Sequence, residues 1–362
     1  MTSPDADRLR RLLREWFRGN RRDLPWRREP RDPWAVLVSE VMLQQTRVEV
    51  VAPRFDAFLR RWPTPASMAR SKEKDVLAAW SGLGYYGRAR RLHAAAKAIG
   101  DGPFPADEAA LRALPGVGAY TAGAVGSLAL GLPIPLVDGN VARVLSRLFA
   151  VRGDPRKGEA AKRIRELAAD LVPAEGAGEW NEGLMELGAL VCVPGSPRCL
   201  LCPLSMDCAA RAKGLEETIP EIPPRRKPVA VRMAAALVRD GKGRTLLLRR
   251  PDGGQLSGMY ELPTAEVGEG SDPVVALGTL LHERLGGRWE IGALRRKVRH
   301  SILERRITLE AYDARSVGRR PARPEDSVFA AEEDLADLPI SSLVTKALRG
   351  VSPRTRSPAP GP

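Results

Sequence analysis

The sequence predicts a two-part fold, with a mainly α N-terminal region and an α+β C-terminal domain. Between residues 5 and 212, apolar side chains recur at helical spacing in short runs that prolines and glycines separate. After a proline-rich, charged stretch their period falls toward two, which is typical of strands. We therefore expect a helical domain over 1–212, a linker over 213–229, an α+β domain over 230–350 and a disordered tail over 351–362.

Local signals justify the helices of the N-terminal region. Asp5 and Asp32 stand where N-caps belong, and Pro33 occupies the first helical position of the second run. Further runs with helical spacing are "EKDVLAAWSGL", "GRARRLHAAAKAI", "DEAALRAL", "AYTAGAVGSLAL", "NVARVLSRLF", "KGEAAKRIRELAADLV" and "EWNEGLMELGALV".

The C-terminal domain opens with two strand-like runs. "VRMAAALVRD" and "GRTLLLRRP" flank a turn with Gly241 and Gly243, and we expect them to pair as a hairpin. "RRITLEAYDA" predicts another strand. "SDPVVALGTLLHERL" and "SSLVTKALRG" predict helices.

Composition narrows the classes of function. The chain has 362 residues, is 43% apolar and 28% charged, and carries a formal charge of +14. No apolar run approaches the roughly 20 residues of a membrane span, and the N-terminus lacks a secretory signal, so we expect a cytoplasmic, nucleoid-associated protein without membrane contact. The positive charge favours nucleic acid as a partner, although arginine-rich codon usage would produce the same excess.

The four cysteines lie within 17 residues of one another. Cys192, Cys199, Cys202 and Cys208 follow the spacing C-x6-C-x2-C-x5-C, and the rest of the chain has none. Such clustering predicts a metal centre rather than a disulfide framework. A 4Fe–4S cluster fits four compact thiolates, and a structural zinc site is the alternative, although zinc sites usually pair two CxxC knuckles.

A glycine turn joins two of the predicted helices. In "LPGVGAYTAGAV" (114–125), the glycines allow backbone N–H groups to point outward where the second helix begins. Exposed amides at a helix N-terminus bind phosphate, so the motif predicts contact with a nucleic-acid backbone. A plain αα-hairpin is the alternative.

Two carboxylates stand in unusual surroundings. Glu40 lies among aliphatic residues in "SEVMLQQT" (39–46), where neither a core helix nor a solvated helix favours it. Asp138 lies two residues before Asn140 in "LVDGNVARVLSRL", where a simple N-cap is the alternative interpretation.

The glycine hairpin, the aspartate downstream of it and the cysteine loop, in that order along the chain, resemble those of the endonuclease III superfamily of base-excision DNA glycosylases with a helix-hairpin-helix. "LPWR", "SEVMLQQT" and "GLGYY" narrow the resemblance to the MutY-type adenine DNA glycosylases. The C-terminal region resembles that family's Nudix-like domain, as in "GGQLSGMYELP". Its "LLHERLGG" keeps one glutamate of the acidic run that a Nudix hydrolase needs, so we expect binding without hydrolysis there.

The resemblance implies the chemistry of the site. Glu40 would protonate N7 of a flipped adenine, and burial would raise its pKa for that task. Asp138 would stay ionised beside the oxocarbenium-like sugar, while Asn140 and Tyr120 would orient the carboxylate and the departing base. The superfamily members that also cleave the strand carry a lysine at the position of Tyr120, and a hydroxyl cannot form a Schiff base. We therefore expect a monofunctional glycosylase that leaves an abasic site.

The resemblance also implies the DNA contacts. The expected DNA-binding residues are Gln44, Gln45, Thr46, Tyr85, Tyr86, Leu114, Gly116, Val117 and Gly118. Gln44 would fill the gap left by the extruded base, and Tyr85 or Tyr86 would be an aromatic wedge, with a buried tyrosine pair as the alternative. Leu24, Trp26, Arg27 and Glu186 would line the adenine pocket.

The expected substrate is double-stranded DNA with adenine opposite 8-oxoguanine or guanine, bound by a monomer. The family reads 8-oxoguanine through a Phe-Ser-His-type loop. The matching stretch here, "KVRHSILERRITLEAY", lacks that triad and offers His300, Ser301, Ile302 and Leu303. A mismatch thymine glycosylase of the same superfamily and a non-catalytic lesion-binding protein are the alternatives.

Overall fold

The chain divides into two compact units. They comprise Met1–Ser71 with Arg90–Pro224, and Lys72–Ala89 with Arg225–Pro362. A computed structural model describes residues 5–224, 228–251, 253, 256–302, 304–318 and 324–351. The expected tail therefore lies outside the described residues from 352 onward.

The N-terminal two thirds of the chain is helical. Its helices are α1 (Ala6–Asn20), α2 (Pro33–Leu43), α3 (Val48–Arg61), α4 (Pro65–Ala69), α5 (Glu73–Ala79), α6 (Gly87–Ile99), α7 (Glu108–Ala113), α8 (Ala119–Leu130), α9 (Gly139–Leu148), α10 (Gly158–Leu171), α11 (Ala177–Leu190) and α12 (Ala209–Ala212). Short 3-10 helices cover Pro25–Arg27, Cys199–Leu201 and Ser205–Asp207.

Local chemistry fixes where the helices begin. Asp5 accepts a hydrogen bond from the N–H of Asp7, and Asp32 accepts one from the N–H of Trp34, as expected of N-caps. Pro33 begins α2, where its missing N–H leaves no helical bond unmade. Asp32 and Pro33 fix the start of α2, and Glu40 therefore lies in its last turn.

The core of the first unit surrounds α11. This helix packs against α1, α8 and α9, while α2 packs on α8. One core cluster joins aliphatic side chains from α1, α8, α9, α10 and α11, including Leu13, Leu145, Ile164 and Leu184. Burial of these side chains is the main stabilising force of the unit.

The second unit contains two sheets. Its strands are β1 (Val229–Val238), β2 (Thr245–Arg249), β3 (Tyr260–Glu261), β4 (Thr264–Val267), β5 (Arg288–Ile302), β6 (Arg305–Val317) and β7 (Ser327–Ala330). One sheet has the order β4-β1-β6-β5, with β1 parallel to β6, and the other has the order β3-β2-β7. Helix α13 (Pro273–Leu285) packs on the first sheet, and α14 (Ser342–Leu348) packs against β5. A mainly α region with an α+β domain is confirmed.

The expected hairpin between the first two strands is wrong. A single bridge between Arg239 and Thr245 joins them, and they then continue in different sheets. Asp240 accepts hydrogen bonds from the N–H groups of Lys242 and Arg244, which turns the chain. Strand β1 already has β4 and β6 as neighbours, so no edge is left for β2.

Among the described residues, no helix is long and apolar enough to cross a membrane.

Gly178→Ala should lower the melting temperature of the chain. The added methyl group would lie 2.6 Å from the carbonyl oxygen of Ser127, so α11 would have to move away from α8. Overpacking of this kind costs about 1–3 kcal/mol of the free energy of unfolding. Differential scanning calorimetry measures the change.

Gly19→Ala is the matched control. Nothing lies within 4 Å of a methyl group at this position in α1, so alanine should be neutral or stabilise the helix by up to about 1 kcal/mol. Equal melting temperatures for the two variants would contradict the close contact of α8 with α11.

Candidate active site

One cavity of the first unit collects the predicted catalytic and adenine-pocket residues, together with three of the predicted DNA-binding residues. It is open to solvent, has a volume of about 420 Å³ and is lined from α2, α8, α9, α11 and the 3-10 helix that begins at Pro25. The predicted residues that line it are Leu24, Trp26, Arg27, Glu40, Gln44, Gln45, Thr46, Tyr120, Asp138, Asn140 and Glu186. A cavity of this size accommodates a nucleobase with its sugar.

Glu40 lies in the last turn of α2 and is only 4% exposed. Burial raises its pKa from an ordinary value near 4.5 to about 7. A hydrogen bond from Tyr120 acts in the opposite direction, while the charges of Glu182 and Asp138 raise the pKa further. Near neutral pH a large fraction of Glu40 is therefore protonated and can act as an acid.

Tyr120 holds this carboxyl. Its hydroxyl lies 2.5 Å from Oε2 of Glu40 and 3.8 Å from the sulfur of Met185. Burial and the charge of Glu40 raise the pKa of Tyr120 well above its ordinary value. The phenol therefore stays protonated and acts as a hydrogen-bond donor.

Asp138 is both an N-cap and part of the cavity wall. Its Oδ1 accepts a hydrogen bond from the N–H of Val141 at 2.7 Å, and its Oδ2 accepts one from the amide of Asn140 at 3.0 Å. Burial raises its pKa, while these hydrogen bonds and the charge of Arg143 oppose the rise. Asp138 thus has more support for its ionised form than Glu40 has.

Arg143 fixes Asn140 from behind. Its guanidinium donates to Oδ1 of Asn140 at 2.9 Å and to the carbonyl oxygens of Gly188 at 2.7 Å and Cys192 at 2.7 Å. The amide of Asn140 therefore has one orientation, with its N–H groups toward Asp138.

The wall that faces the expected adenine pocket is a buried ionic network. Arg27 bridges Glu182, at 3.0 Å, and Glu186, at 3.1 Å. Arg22 binds Glu186, and Arg31 binds Glu182. Burial acts to raise the pKa of Glu186, but hydrogen bonds from Arg22 and Arg27 outweigh it and bring the pKa down to about 2. Leu24 and Trp26 complete this wall and are buried.

The glutamines follow Glu40 at the end of α2. Gln44 caps the helix, and its side-chain amide lies 3.4 Å from the hydroxyl of Thr121. Gln45 is exposed and has a left-handed backbone with φ of 57°, which is costly for a residue with a Cβ. Thr46 ends the turn. The glutamines thus border the cavity that Glu40 lines.

The hairpin residues lie apart from the cavity lining, between α7 and α8. Gly116 has a φ of 78°, and a Cβ there would lie 2.6 Å from that of Arg91. Gly118 begins α8 without a side-chain cap and is exposed, so the first amides of α8 are available to a ligand. Leu114 and Val117 are buried and anchor the turn.

The four cysteines line a second cavity of the same unit. None of them forms a disulfide. The side chain of Arg147 donates to the sulfur of Cys192 at 3.3 Å and to the carbonyl of Val193 at 2.8 Å. Burial raises the pKa of the Cys202 thiol to about 12. In the part of the chain that the structure describes, no three His, Cys, Asp or Glu side chains form a site for a single metal ion.

The two tyrosines of "GLGYY" belong to the second unit and differ in environment. Tyr85 is 45% exposed, whereas Tyr86 is 4% exposed. Of the two residues considered for an aromatic wedge, Tyr85 is the one that solvent reaches.

Of the expected lesion loop, His300, Ser301 and Ile302 are the last residues of β5. His300 lies 3.4 Å from both the Lys346 ammonium and the Ser342 hydroxyl of α14, and Ile302 packs against the core. Burial and the charge of Lys346 lower the pKa of His300, so the ring is neutral. Ser301 is exposed, and Leu303 lies outside the described residues.

Sequence reasoning missed several contributors to the site, among them Glu182 in the cavity lining and Arg31 and Arg143, which hydrogen-bond to lining residues. Glu182 carried the same signal as Glu40, since it is a carboxylate within a helix of largely apolar face, four residues before Glu186. The two arginines gave no signal, because the contacts that bring them to the site, Arg31 with Glu182 and Arg143 with the Cys192 carbonyl, join residues distant in sequence.

Two family models match different parts of the chain. Residues 38–170 match the HhH-GPD superfamily of base excision DNA repair proteins, and residues 234–350 match the NUDIX domain. A thermostable thymine-DNA glycosylase has a similar structure, with a TM-score of 0.52 and 30% identity over 57% of this chain and 97% of that one.

Curated relatives cover more of the chain. The human adenine DNA glycosylase is 32% identical over 94% of this chain and 73% of its own length. The Arabidopsis thaliana adenine DNA glycosylase is 37% identical over 74% of this chain, and the match spans 49% of that protein's length. The resemblance seen in the sequence is confirmed, and the chain belongs to the adenine DNA glycosylase family.

Proposed function

We propose that this protein is a monofunctional DNA glycosylase that removes adenine opposite 8-oxoguanine or guanine in double-stranded DNA. The observation that carries the proposal is the pair of carboxyls that line one cavity: the buried Glu40, hydrogen-bonded by the Tyr120 hydroxyl, and the partly buried Asp138, hydrogen-bonded by the Asn140 amide. Their environments favour a protonated Glu40 and an ionised Asp138, and acid–base catalysis of glycosidic cleavage needs such a separation.

The residues divide the reaction between them. Glu40 gives its proton to the purine ring, and the bond between the sugar C1′ and the base breaks with its electron pair passing to the base. Asp138 stabilises the positive charge that develops on the sugar. A water oxygen then bonds to C1′ and releases a proton, so the products are adenine and an abasic site. Asn140 keeps the Asp138 carboxylate oriented throughout.

The absence of an amine nucleophile supports the monofunctional assignment. Tyr120 stands at the position of the lysine that strand-cleaving members carry, and its hydroxyl is engaged with Glu40. Among the described residues, no lysine lines the cavity. A Schiff base with the sugar requires one.

Double-stranded DNA as the substrate rests on features outside the cavity. The formal charge of +14 suits a polyanion. The uncapped N-terminus of α8 offers amides to a backbone phosphate without reading sequence. Gln44 and Gln45 at the cavity border would fill the space that an extruded adenine leaves, and the exposed Tyr85 is the candidate for an aromatic wedge.

We infer that the four cysteines hold a 4Fe–4S cluster. They line one cavity, carry no disulfide and receive a hydrogen bond from Arg147 at one sulfur, as thiolates of a cluster would. When bound, the cluster would supply structural cross-linking of this loop. The chain's own residues perform every step of the proposed reaction.

Glu40→Gln should reduce adenine release by at least 100-fold, because the amide has the shape of the acid but no proton to donate at neutral pH. Single-turnover assays on labelled duplexes would compare adenine opposite 8-oxoguanine, adenine opposite guanine, and thymine opposite guanine. Strand breaks should appear at adenine only after alkali, which reveals the abasic site.

Glu15→Gln is the control, since it removes an exposed carboxylate from α1 and should leave the rate unchanged. Release of thymine but not adenine would favour the mismatch thymine glycosylase, the activity named for the structurally similar protein. Breaks without alkali would contradict the monofunctional assignment. Equal rates opposite guanine and 8-oxoguanine would show that the lesion loop does not discriminate.

The rate of adenine release should fall as the pH rises through about 7. Above the pKa of Glu40, the ionised fraction grows and each further pH unit should cost about tenfold. Below that pKa the acid is protonated and the rate should level off until Asp138 protonates. Single-turnover rates at saturating duplex between pH 5 and 9, a range of about two units on either side of 7, measure the profile. A flat profile would exclude Glu40 as the acid.

Cys202→Ala should abolish the iron content of the purified chain. The wild type should contain about four iron atoms per chain and show a brown chromophore. Ser196→Ala, in the same loop but without a sulfur, should retain both. Colorimetric iron and zinc assays decide the question, and stoichiometric zinc in the wild type would indicate the alternative site.

A further inference from the structure

The turn that carries the two tyrosines packs within the C-terminal unit. Residues 72–89 form one compact unit with 225–362, although they lie between helices of the first unit in sequence. Helix α5 contacts the 3-10 helix Glu333–Asp337. The exposed Tyr85 is therefore carried by the same unit as the β5–β6 hairpin.

The backbone of this turn is unusual and firmly held. Gly82, Gly84 and Tyr85 have φ values of 87°, 68° and 47°, and the last is costly for a residue with a side chain. The indole of Trp80 donates to the carbonyl of Gly84 at 3.0 Å. The guanidinium of Arg88 donates to the same carbonyl at 3.1 Å. These bonds keep Tyr85 in the conformation that exposes it.

Arg88 also supports the ring of Tyr85 directly. Its guanidinium carbon lies 5.5 Å from the Tyr85 ring centroid and 5.4 Å from that of Trp80. Cation–π attraction at these distances holds an aromatic ring in place. The exposed side chain is therefore oriented before any ligand arrives.

The hydroxyl of Tyr86 connects the turn to a distant segment. It donates to the carbonyl oxygen of Ile340 at 2.9 Å, across 254 residues of sequence. Burial raises the pKa of Tyr86, and hydrogen bonds from Ser81 and the backbone of Gly82 oppose the rise. Ile340 is itself buried and bridges Tyr260 of β3. The Tyr86 hydroxyl thus links the turn to Ile340 and, through Ile340, to strand β3.

We propose that Tyr86 is a positioning residue through which the C-terminal unit holds Tyr85 ready for insertion into DNA. The inference rests on the proposed function, because an exposed, preset aromatic ring is useful where an extruded base leaves a gap. A stacking ring that is fixed in advance loses little conformational entropy on binding. The unit that contains the β5–β6 hairpin therefore also fixes the position of Tyr85.

Tyr86→Phe tests this role because it removes the hydroxyl and keeps the ring. The probe is a duplex with a stable abasic-site analogue opposite guanine and 2-aminopurine beside it, whose fluorescence reports stacking by an inserted ring. The full-length variant should bind this duplex about three- to tenfold more weakly, the usual effect of one lost buried hydrogen bond, and should lose much of the fluorescence change. Tyr312→Phe removes a hydroxyl from β6 in the same unit and should match the wild type.

A double-mutant cycle separates positioning from general loosening of the fold. In a Tyr85→Ala background, Tyr86→Phe should have little further effect, since no wedge is left to position. The same loss in both backgrounds, or unchanged binding in the single variant, would overturn the proposal. The probe needs no cleavage. A wild type that releases no adenine but shows the Tyr86-dependent change would overturn the proposed activity alone.

Discussion

The short hydrogen bond between Tyr120 and Glu40 constrains the rest of the first unit. A buried carboxyl without a compensating charge is held only where a neighbour satisfies it and water is kept away. Tyr120 can reach Glu40 because α2 and α8 pack closely. On another face of α8 the segment that follows the helix also packs closely, since a Cβ at Gly126 would lie only 2.7 Å from the Ile134 side chain.

The same cavity holds carboxylates in two opposite states. Burial dominates at Glu40 and raises its pKa to about 7, whereas two arginines bring the pKa of Glu186 down to about 2. The difference arises because α11 presents its glutamates to Arg22, Arg27 and Arg31, while α2 presents Glu40 to a phenol. The glutamates that are paired with arginines form a rigid wall of the cavity. Glu40, which is hydrogen-bonded by a phenol instead, retains a proton that it can transfer.

Local features of the sequence predicted most of the fold and the centre of the site. N-caps such as Asp32 and Asp138 bind backbone groups within three residues, so the sequence alone could predict them. The motifs around Glu40 and Tyr120 were predicted to be functional from a family resemblance. Pairings distant in sequence were not visible. The alternation of β1 and β2 could not reveal that they enter different sheets. The pattern of residues 72–89 likewise contains no sign of the Ile340 carbonyl that Tyr86 meets.

Asp138 depends on a second layer of contacts that reaches the cysteine loop. The carbonyl of Cys192 accepts from Arg143, Arg143 donates to Asn140, and Asn140 donates to Asp138. Gly188 allows this arrangement, because a Cβ there would lie 2.6 Å from that of Asn140. Arg143 also donates to the carbonyl of Gly188, and Asp138 also accepts from the N–H of Val141, so a shift of the loop backbone would pass to the carboxylate. The cysteine loop, whose residues do not line the cavity, thus helps to orient the Asp138 carboxylate. A rigid cysteine loop is therefore part of what the proposed chemistry requires.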